Sequence, residues 1–157
     1  MLSETSQSET GTVQRGKVRD YMTLHPITLE ASERIPDAVK KFERGGFRHL
    51  PVLERGALVG MVSDRDLRAA LPSDATTLSR WEMGELIEGV EVRAIMTHPL
   101  ETITADATLE QAARRLYELA VGALAVVSES GVLEGIISVQ DLLRSIFAPV
   151  AKSEGLG

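Results

Sequence analysis

Cysteine is absent from the 157-residue chain, which excludes disulfide bonds, thiolate metal sites and cysteine-based catalysis. Aromatic residues make up only 4% of the chain, so its core must be built from aliphatic side chains and methionine. No apolar run approaches the roughly 18 residues that a membrane-spanning helix needs. Basic residues are outnumbered, and the formal net charge of -6 argues against a general nucleic-acid binder, because neutralising phosphates takes clustered Lys and Arg.

Patterns typical of enzymes and metal sites are missing as well. The three histidines do not form a His-x-x-His pair, and no Gly-x-Ser-x-Gly turn presents a serine nucleophile. We therefore expect no metal site and no catalytic residues. The N-terminal residues lack the basic start and apolar core of a signal peptide, and a cysteine-free chain fits a reducing compartment, so we expect a cytoplasmic protein.

What the chain does contain is an internal duplication, the feature to search for first. A shift of 74 residues superposes Val18, Arg19, Met22 and Thr23 on Val92, Arg93, Met96 and Thr97. After one inserted residue the shift becomes 75. Then Gly60, Ser63 and Asp66 meet Gly135, Ser138 and Asp141. We assign residues 16–71 and 92–147 to two repeats, 72–91 to a linker with a short helix, and 1–15 and 148–157 to polar, flexible tails.

Each repeat predicts the order strand, helix, strand, strand, helix, an α/β (α+β) unit. A short strand falls around residues 27–29 or 101–103. Apolar residues then recur at offsets 0, 3, 4 and 7, as in an amphipathic helix, which Gly45 and Gly46 end in the first repeat. One such unit buries too little surface to be stable alone. We expect the two to pack sheet against sheet as a pseudo-twofold pair with a shared core.

Both repeats pass from a strand into a helix through Ser-x-x-Asp, at Ser63–Asp66 and Ser138–Asp141. This spacing is typical of a capping box, in which Ser accepts from a helix N–H and an acidic residue reaches back. The box prefers Glu or Gln, and Asp is one methylene shorter, so we expect the two carboxylates to face outward. A ligand site is the alternative, and both functions can coexist at the serines.

The duplicated pattern resembles the CBS domain family, in which two motifs pair into a Bateman module. "VRDYMT" and "VRAIMT", "GFRHLPVLERGALVGMVSDRDL" and "GVLEGIISVQDL" carry the resemblance. The linker is similar to that of small stand-alone bacterial CBS proteins of the acetoin-utilisation type. The resemblance implies no catalytic activity and no cofactor. It implies an adenosine-containing regulatory ligand (AMP, ADP, ATP, S-adenosylmethionine, NAD or a cyclic dinucleotide), a homodimer, and a separate, unknown partner protein.

The family's ligand signature, Gly-apolar-x-Ser/Thr-x-x-Asp, occurs in both repeats. A carboxylate can accept two hydrogen bonds at once, which suits the two ribose hydroxyls at Asp66 and Asp141. The Ser63 and Ser138 hydroxyls and the adjoining helix N–H groups suit a phosphate. A ligand-free interaction scaffold, in which both sites merely cap helices, is the alternative function.

The remaining candidates follow from the family's binding mode. Arg48, His49 and Arg65 are expected to serve the phosphate, and the second repeat has Gly122, Ala123 and Gln140 at the matching places. The adenine slot is expected along the segments that enter the first strands, at Ile27, Thr28 and Thr102. Met61, Val62, Ile136 and Ile137 either line the slot or belong to the core. The ligand-binding candidates are Ser63, Arg65, Asp66, Arg48, His49, Ser138, Asp141, Ile27, Thr28, Thr102 and Gly122.

Overall fold

The computed structural model describes residues 16–72, 80–98 and 100–147. The two predicted tails, residues 1–15 and 148–157, lie outside these ranges. Within them, no helix has both the length and the apolar character needed to cross a membrane.

The first half of the chain has the predicted order of elements, preceded by a short helix and strand that the repeat pattern did not indicate. The elements are α1 (Val18–Tyr21), β1 (Thr23–Leu24), β2 (Leu29–Glu30), α2 (Ile35–Gly45), β3 (His49–Glu54), β4 (Ala57–Ser63) and α3 (Asp64–Ala70). The first strand of the repeat is thus slightly later than the expected 27–29. Helix α2 buries Ile35, Ala38 and Phe42 and ends as predicted at Gly46, whose φ of +61° is left-handed.

The second half repeats this order. The linker contains the predicted helix, α4 (Arg80–Glu88), and a 3₁₀ turn follows at Val92–Ala94. The remaining elements are β5 (Thr102–Ile103), α5 (Leu109–Leu119), β6 (Ala123–Val127), β7 (Leu133–Ser138) and α6 (Val139–Phe147). Helix α5 buries Leu109, Ala112 and Leu116, the residues that the repeat aligns with the buried face of α2.

Each repeat builds its own sheet. In the first, β2 runs parallel to β3, and β3 pairs antiparallel with β4. In the second, β5 runs parallel to β6, and β6 pairs antiparallel with β7. The hairpins share a register irregularity, between Val52 and Leu53 in β3 and between Val126 and Val127 in β6. The duplication therefore extends to details of strand pairing.

The segment that opens each repeat, residues 18–24 in the first and 92–97 in the second, pairs with the sheet of the other repeat. We call it the crossing segment. Strand β1 pairs antiparallel with β7, so that Thr23 faces Ile136. In the same way, the Thr97 N–H donates to the carbonyl of Met61 on β4 at 2.8 Å. Each crossing segment also contributes a fully buried valine, Val18 to the second sheet's core and Val92 to the first's.

The expectation of a single shared core is wrong. Most buried apolar residues of the described ranges form two clusters, one beneath each sheet, and others belong to neither, among them Met61, Ala123, Ala125 and Val127. All five residues of β6 are buried, which requires cover on both faces of that strand. Its Leu124 and Val126 lie in the cluster under α5, whereas the small Ala123 and Ala125 lie outside that cluster. Because alternate residues of a strand point to opposite faces, Ala123 and Ala125 lie on the face of β6 that points away from α5. This face, with its small side chains, lies between the two sheets.

Candidate functional site

Helix α3 begins with a closed capping box. The Asp66 N–H donates to Ser63 Oγ at 3.0 Å, and Ser63 N–H donates back to Asp66 Oδ2 at 2.8 Å. Helix α6 begins in the same way, with Ser138 N–H donating to Asp141 Oδ2 at 2.8 Å. The expectation that the two carboxylates face outward is wrong for Oδ2 of each, which closes the box. Ser63 has extended backbone angles (φ -98°, ψ 162°), and its N–H thereby comes within reach of the shorter side chain.

Closing the boxes uses only one oxygen of each carboxylate. Within the described ranges, Oδ1 of Asp66 accepts no hydrogen bond, while Oδ1 of Asp141 lies 3.3 Å from Arg144 Nη2. Both aspartates are half-buried. Oδ1 of Asp66 is therefore left for another molecule, whereas Oδ1 of Asp141 is shared with Arg144.

A cavity of about 750 Å³ opens beside Asp66, and we call it the Asp66 cavity. The start of α3 forms one side, and Leu100 and Glu101, from the segment entering β5, form another. Backbone hydrogen bonds between Thr97 and Met61 hold that segment against β4. The helix start of one repeat thus faces the entering segment of the other.

A second cavity, of about 610 Å³, opens beside Asp141, and we call it the Asp141 cavity. The start of α6 forms one side, and Pro26 and Ile27 form another. The pairing of Thr23 with Ile136 holds this segment against β7, as Thr97 does in the first cavity. The two cavities are therefore related by the duplication.

Arg48, His49 and Gly122 line both cavities, at the seam where they adjoin. A Cβ built on Gly122 would lie 2.7 Å from Nε2 of His49, so the imidazole of the first repeat occupies the space beside this glycine of the second. Burial lowers the pKa of His49 from its ordinary value near 6.5, and Arg48 adds to that effect, whereas Asp64 and Asp66 oppose it. Of the candidate ligand-binding residues in the described chain, His49 is the one whose pKa is clearly shifted.

Most of the predicted residues line a cavity. The Asp66 cavity includes Ser63, Arg65 and Asp66, and the Asp141 cavity includes Ser138, Asp141 and Ile27. Thr28 and Thr102 line neither. The Thr28 carbonyl accepts a hydrogen bond from Lys41 Nζ at 3.2 Å, and Thr102 is already paired with Ala125 inside its sheet. Each threonine directly follows the last residue of its segment that lines a cavity, Ile27 or Glu101.

The apolar signature residues divide by strand alternation. Met61 lines the Asp66 cavity and Ile136 lines the Asp141 cavity, whereas Val62 and Ile137 are fully buried in the two cores.

The sequence did not single out several other lining residues. Phe47 lines both cavities, Arg68 lines the Asp66 cavity and His25 the Asp141 cavity. His25 has a left-handed φ of +47°, uncommon for a residue other than glycine. The sequence signal that could have identified His25 is its position directly before Pro26 and Ile27, in the segment expected to hold the adenine. In the described part of the chain, no cluster of three or more His, Asp or Glu side chains is arranged to hold a metal.

The sequence model of the CBS domain matches residues 18–73 and 92–148, most of the chain. The protein belongs to the CBS domain family. Its two repeats are the paired CBS domains, and the two cavities lie between them.

Solved structures extend the comparison. The crystal structure of CBSX2 in complex with AMP is 31% identical, with a TM-score of 0.67 over 83% of this chain and 96% of that one. The structure of AcuB from Vibrio cholerae, to which a role in acetoin utilisation is ascribed, is 30% identical, with a TM-score of 0.67 over 85% of this chain and 92% of that one. The similarity to AcuB agrees with the resemblance noted in the linker.

MJ1225 of Methanocaldococcus jannaschii is 32% identical over 129 residues, which are 81% of this chain and 46% of MJ1225. Its crystal structure gives a TM-score of 0.69. The chain spans less than half the length of the first curated relatives that it matches.

Proposed function

We propose that this CBS pair is a sensor that binds an adenine nucleotide of the AMP, ADP or ATP type and acts on a separate partner protein. The observation that carries the proposal is the pair of equivalent cavities, each with an aspartate carboxylate at a helix start. The similar protein CBSX2 was crystallised with AMP, which supports the choice of ligand. The proposed role is regulatory and includes no catalytic step.

The ribose would bind at the aspartates. With Oδ2 of Asp66 held by Ser63, Oδ1 keeps its lone pairs, and these can accept hydrogen bonds from the 2′ and 3′ hydroxyls. At Asp141, the 3.3 Å contact with Arg144 is long for a hydrogen bond, and a ribose would share this oxygen. The capping box therefore orients the carboxylate and does not compete with the ligand.

The other parts of the nucleotide would meet matching chemistry. Ile27, on the wall of the Asp141 cavity, is 50% exposed in the absence of a ligand, so an adenine ring could cover apolar surface there. The phosphate would lie at the seam, where the Arg48 guanidinium and the His49 imidazole can donate hydrogen bonds to it. Arg65 adds a second cation on the Asp66 side.

Titration calorimetry with AMP, ADP, ATP and S-adenosylmethionine tests the proposal. We expect binding of at least one adenine nucleotide, and losses of about 10- to 100-fold at the altered cavity in Asp66→Ala and Asp141→Ala, since each removes a charged hydrogen-bond acceptor.

The matched control is Gln111→Ala. Thr108 and Gln111 form a capping box on α5 with distances of 2.9 and 3.0 Å, and neither residue lines a cavity. This substitution removes the same kind of cap and should lower stability by about 1 kcal/mol or less without changing ligand affinity. If Gln111→Ala and Asp66→Ala weakened binding equally, the aspartate would act through the fold.

A ligand-free interaction scaffold is the second candidate function. It is favoured by the closed capping boxes, which give Asp66 and Asp141 a structural role without any ligand. Absence of binding of every adenosine compound at millimolar concentration would support the scaffold and rule out the sensor.

We further propose that the protein forms a homodimer, as the family resemblance implies. Helix α6 leaves Ile146 58% and Phe147 77% exposed, and a second copy is a partner that could cover such residues. Light scattering at tens of micromolar should give twice the mass of the chain, and Ile146→Glu should lower that mass. A monomer under these conditions would contradict the proposal.

A further inference from the structure

Among the described residues, only the first repeat contributes basic side chains to the seam between the cavities. Strand register makes His49 and Ala123 equivalent, since they pair with Ser63 and Ser138. Arg48 and Gly122 are equivalent too, because their carbonyls accept from the first N–H of α3 and of α6. The first repeat thus places an arginine and a histidine at the seam, and the second places a glycine and an alanine there.

The cavities also differ in the cations that each has to itself. The Asp66 cavity is lined by Arg65 and by Arg68, whose Nη2 lies 3.6 Å from Asp64 Oδ2. The Asp141 cavity has Gln140 at the position equivalent to Arg65. Among the described residues, Arg48 is the only Lys or Arg on its wall, and His25 and His49 are its histidines. Arg144 is not part of the wall, and its guanidinium is paired with the Asp141 carboxylate.

We infer that the two cavities share the phosphate-binding pair Arg48 and His49, so that an anionic nucleotide in one cavity weakens the binding of an anionic nucleotide in the other. The Asp66 cavity, with its own Arg65, fills first. This inference rests on the proposed function. It adds the order in which the two cavities fill and the effect of one bound nucleotide on the binding of the other.

The physical basis is competition for hydrogen-bond donors. A guanidinium that forms a paired contact with one phosphate in the Asp66 cavity is no longer free to form it in the Asp141 cavity. The second phosphate also meets the negative charge of the first across the seam. Loss of one charged hydrogen bond corresponds to about a 10-fold or larger loss of affinity. Adenosine, which has no phosphate, does not draw on the pair.

Calorimetry can measure this coupling without assigning the binding steps. For independent cavities, the product of the two stepwise association constants equals the product of the two intrinsic constants. The intrinsic constants come from Asp66→Ala, which leaves the Asp141 cavity, and from Asp141→Ala, which leaves the Asp66 cavity. Where either variant melts without a cooperative transition, the Asp→Asn form replaces it, because an amide oxygen can still accept the Ser N–H. Adenosine is titrated in parallel.

For AMP, the wild-type product should fall below the product of intrinsic constants by about 10-fold or more, while for adenosine the two products should agree. Gln140→Arg gives the Asp141 cavity a cation of its own at an exposed position. It should raise the second AMP constant and reduce the coupling, with no effect on adenosine.

Equal products for AMP in the wild-type protein would overturn the shared pair and leave the sensor intact. Coupling of the same size for adenosine would also overturn it, because the cavities would then communicate through the fold. If no adenosine compound binds, both proposals fail together.

Discussion

At the scale of single residues, the contact between His49 and Gly122 shapes the seam between the two cavities. Any side chain at position 122 would meet the imidazole, whose Nε2 would lie 2.7 Å from an added Cβ. The glycine therefore allows the first repeat's histidine to extend across the seam. Burial there favours the neutral imidazole, which is why the pKa of His49 is lowered.

The lowered pKa predicts a specific dependence of stability on pH. The unfolded chain takes up a proton at His49 at a higher pH than the folded chain does, so the unfolded state gains on acidification. Above the ordinary pKa near 6.5 this penalty is absent, and it grows as the pH falls through 6.5 toward the lowered value. In urea unfolding, the wild-type protein should lose more stability between pH 7.5 and pH 5 than His49→Gln does.

The charged groups around His49 shift its pKa in opposite directions. Asp64 and Asp66 stabilise its protonated form, and Arg48 destabilises it. Asp64→Asn should therefore widen the pH-dependent difference. Parallel curves for wild type and His49→Gln would show that the imidazole is too well hydrated to sense the fold.

At the scale of elements, each crossing segment packs on a glycine of the ligand signature. A Cβ on Gly60 would lie 2.6 Å from Sδ of Met96, and one on Gly135 would lie 2.6 Å from the backbone oxygen of Thr23. The repeat aligns both glycines, and it also aligns the two segments. These glycines are thus explained by close packing between the repeats, independently of any ligand.

The two contacts differ in what can move, and this predicts unequal effects of the same substitution. In Gly60→Ala a change of rotamer can move Sδ and Cγ of Met96 away, and its Cβ, at 3.1 Å from the added methyl group, has to shift only slightly. We expect a loss below about 1 kcal/mol. In Gly135→Ala the obstacle is the backbone of β1, so the strand itself must shift, at a cost of about 1–3 kcal/mol. Thermal or denaturant unfolding of the two variants measures the difference. Equal losses would mean that β1 adjusts as easily as a side chain.

The elements themselves were predictable from the sequence, because the helical stripes and hairpins depend on residues close together in the chain. The positions of Asp66 and Asp141 followed from the same local spacing. The crossing of β1 to β7 was not predictable, since Thr23 and Ile136 carry no local signal of their pairing. Thr28 and Thr102 line neither cavity for a related reason: tertiary contacts determine which residues of each segment face the cleft.

At the scale of the whole molecule, the units of packing differ from the units of sequence repetition. The core beneath the first sheet draws its residues from Leu29 through Met96, including Val92 from the start of the second repeat. The core beneath the second sheet needs Val18 and Tyr21 from the start of the chain. A continuous stretch of chain therefore contains the first core complete, whereas the second is assembled from two separated stretches.

This difference predicts how fragments behave. A fragment of residues 26–98 retains every member of the first core, whereas residues 16–71, the first repeat as the sequence defines it, lack Val92. Since such small units are marginally stable, we expect a cooperative thermal transition by circular dichroism only for the fragment of residues 26–98. A cooperative transition in the fragment of residues 16–71 alone would contradict the importance of the crossing segment.

The crossing of β1 also sets an order of events while the ribosome is making the chain. The residues of the first core emerge one after another and can pack once Met96 has appeared, within the usual pattern of early folding at the N-terminal side. Strand β1 and helix α1 are made before all of them and yet have no sheet to join until β7 is synthesised. This segment, made before the residues of the first core, is thus among the last to find its place, and its apolar Val18 and Tyr21 stay unburied for most of that time.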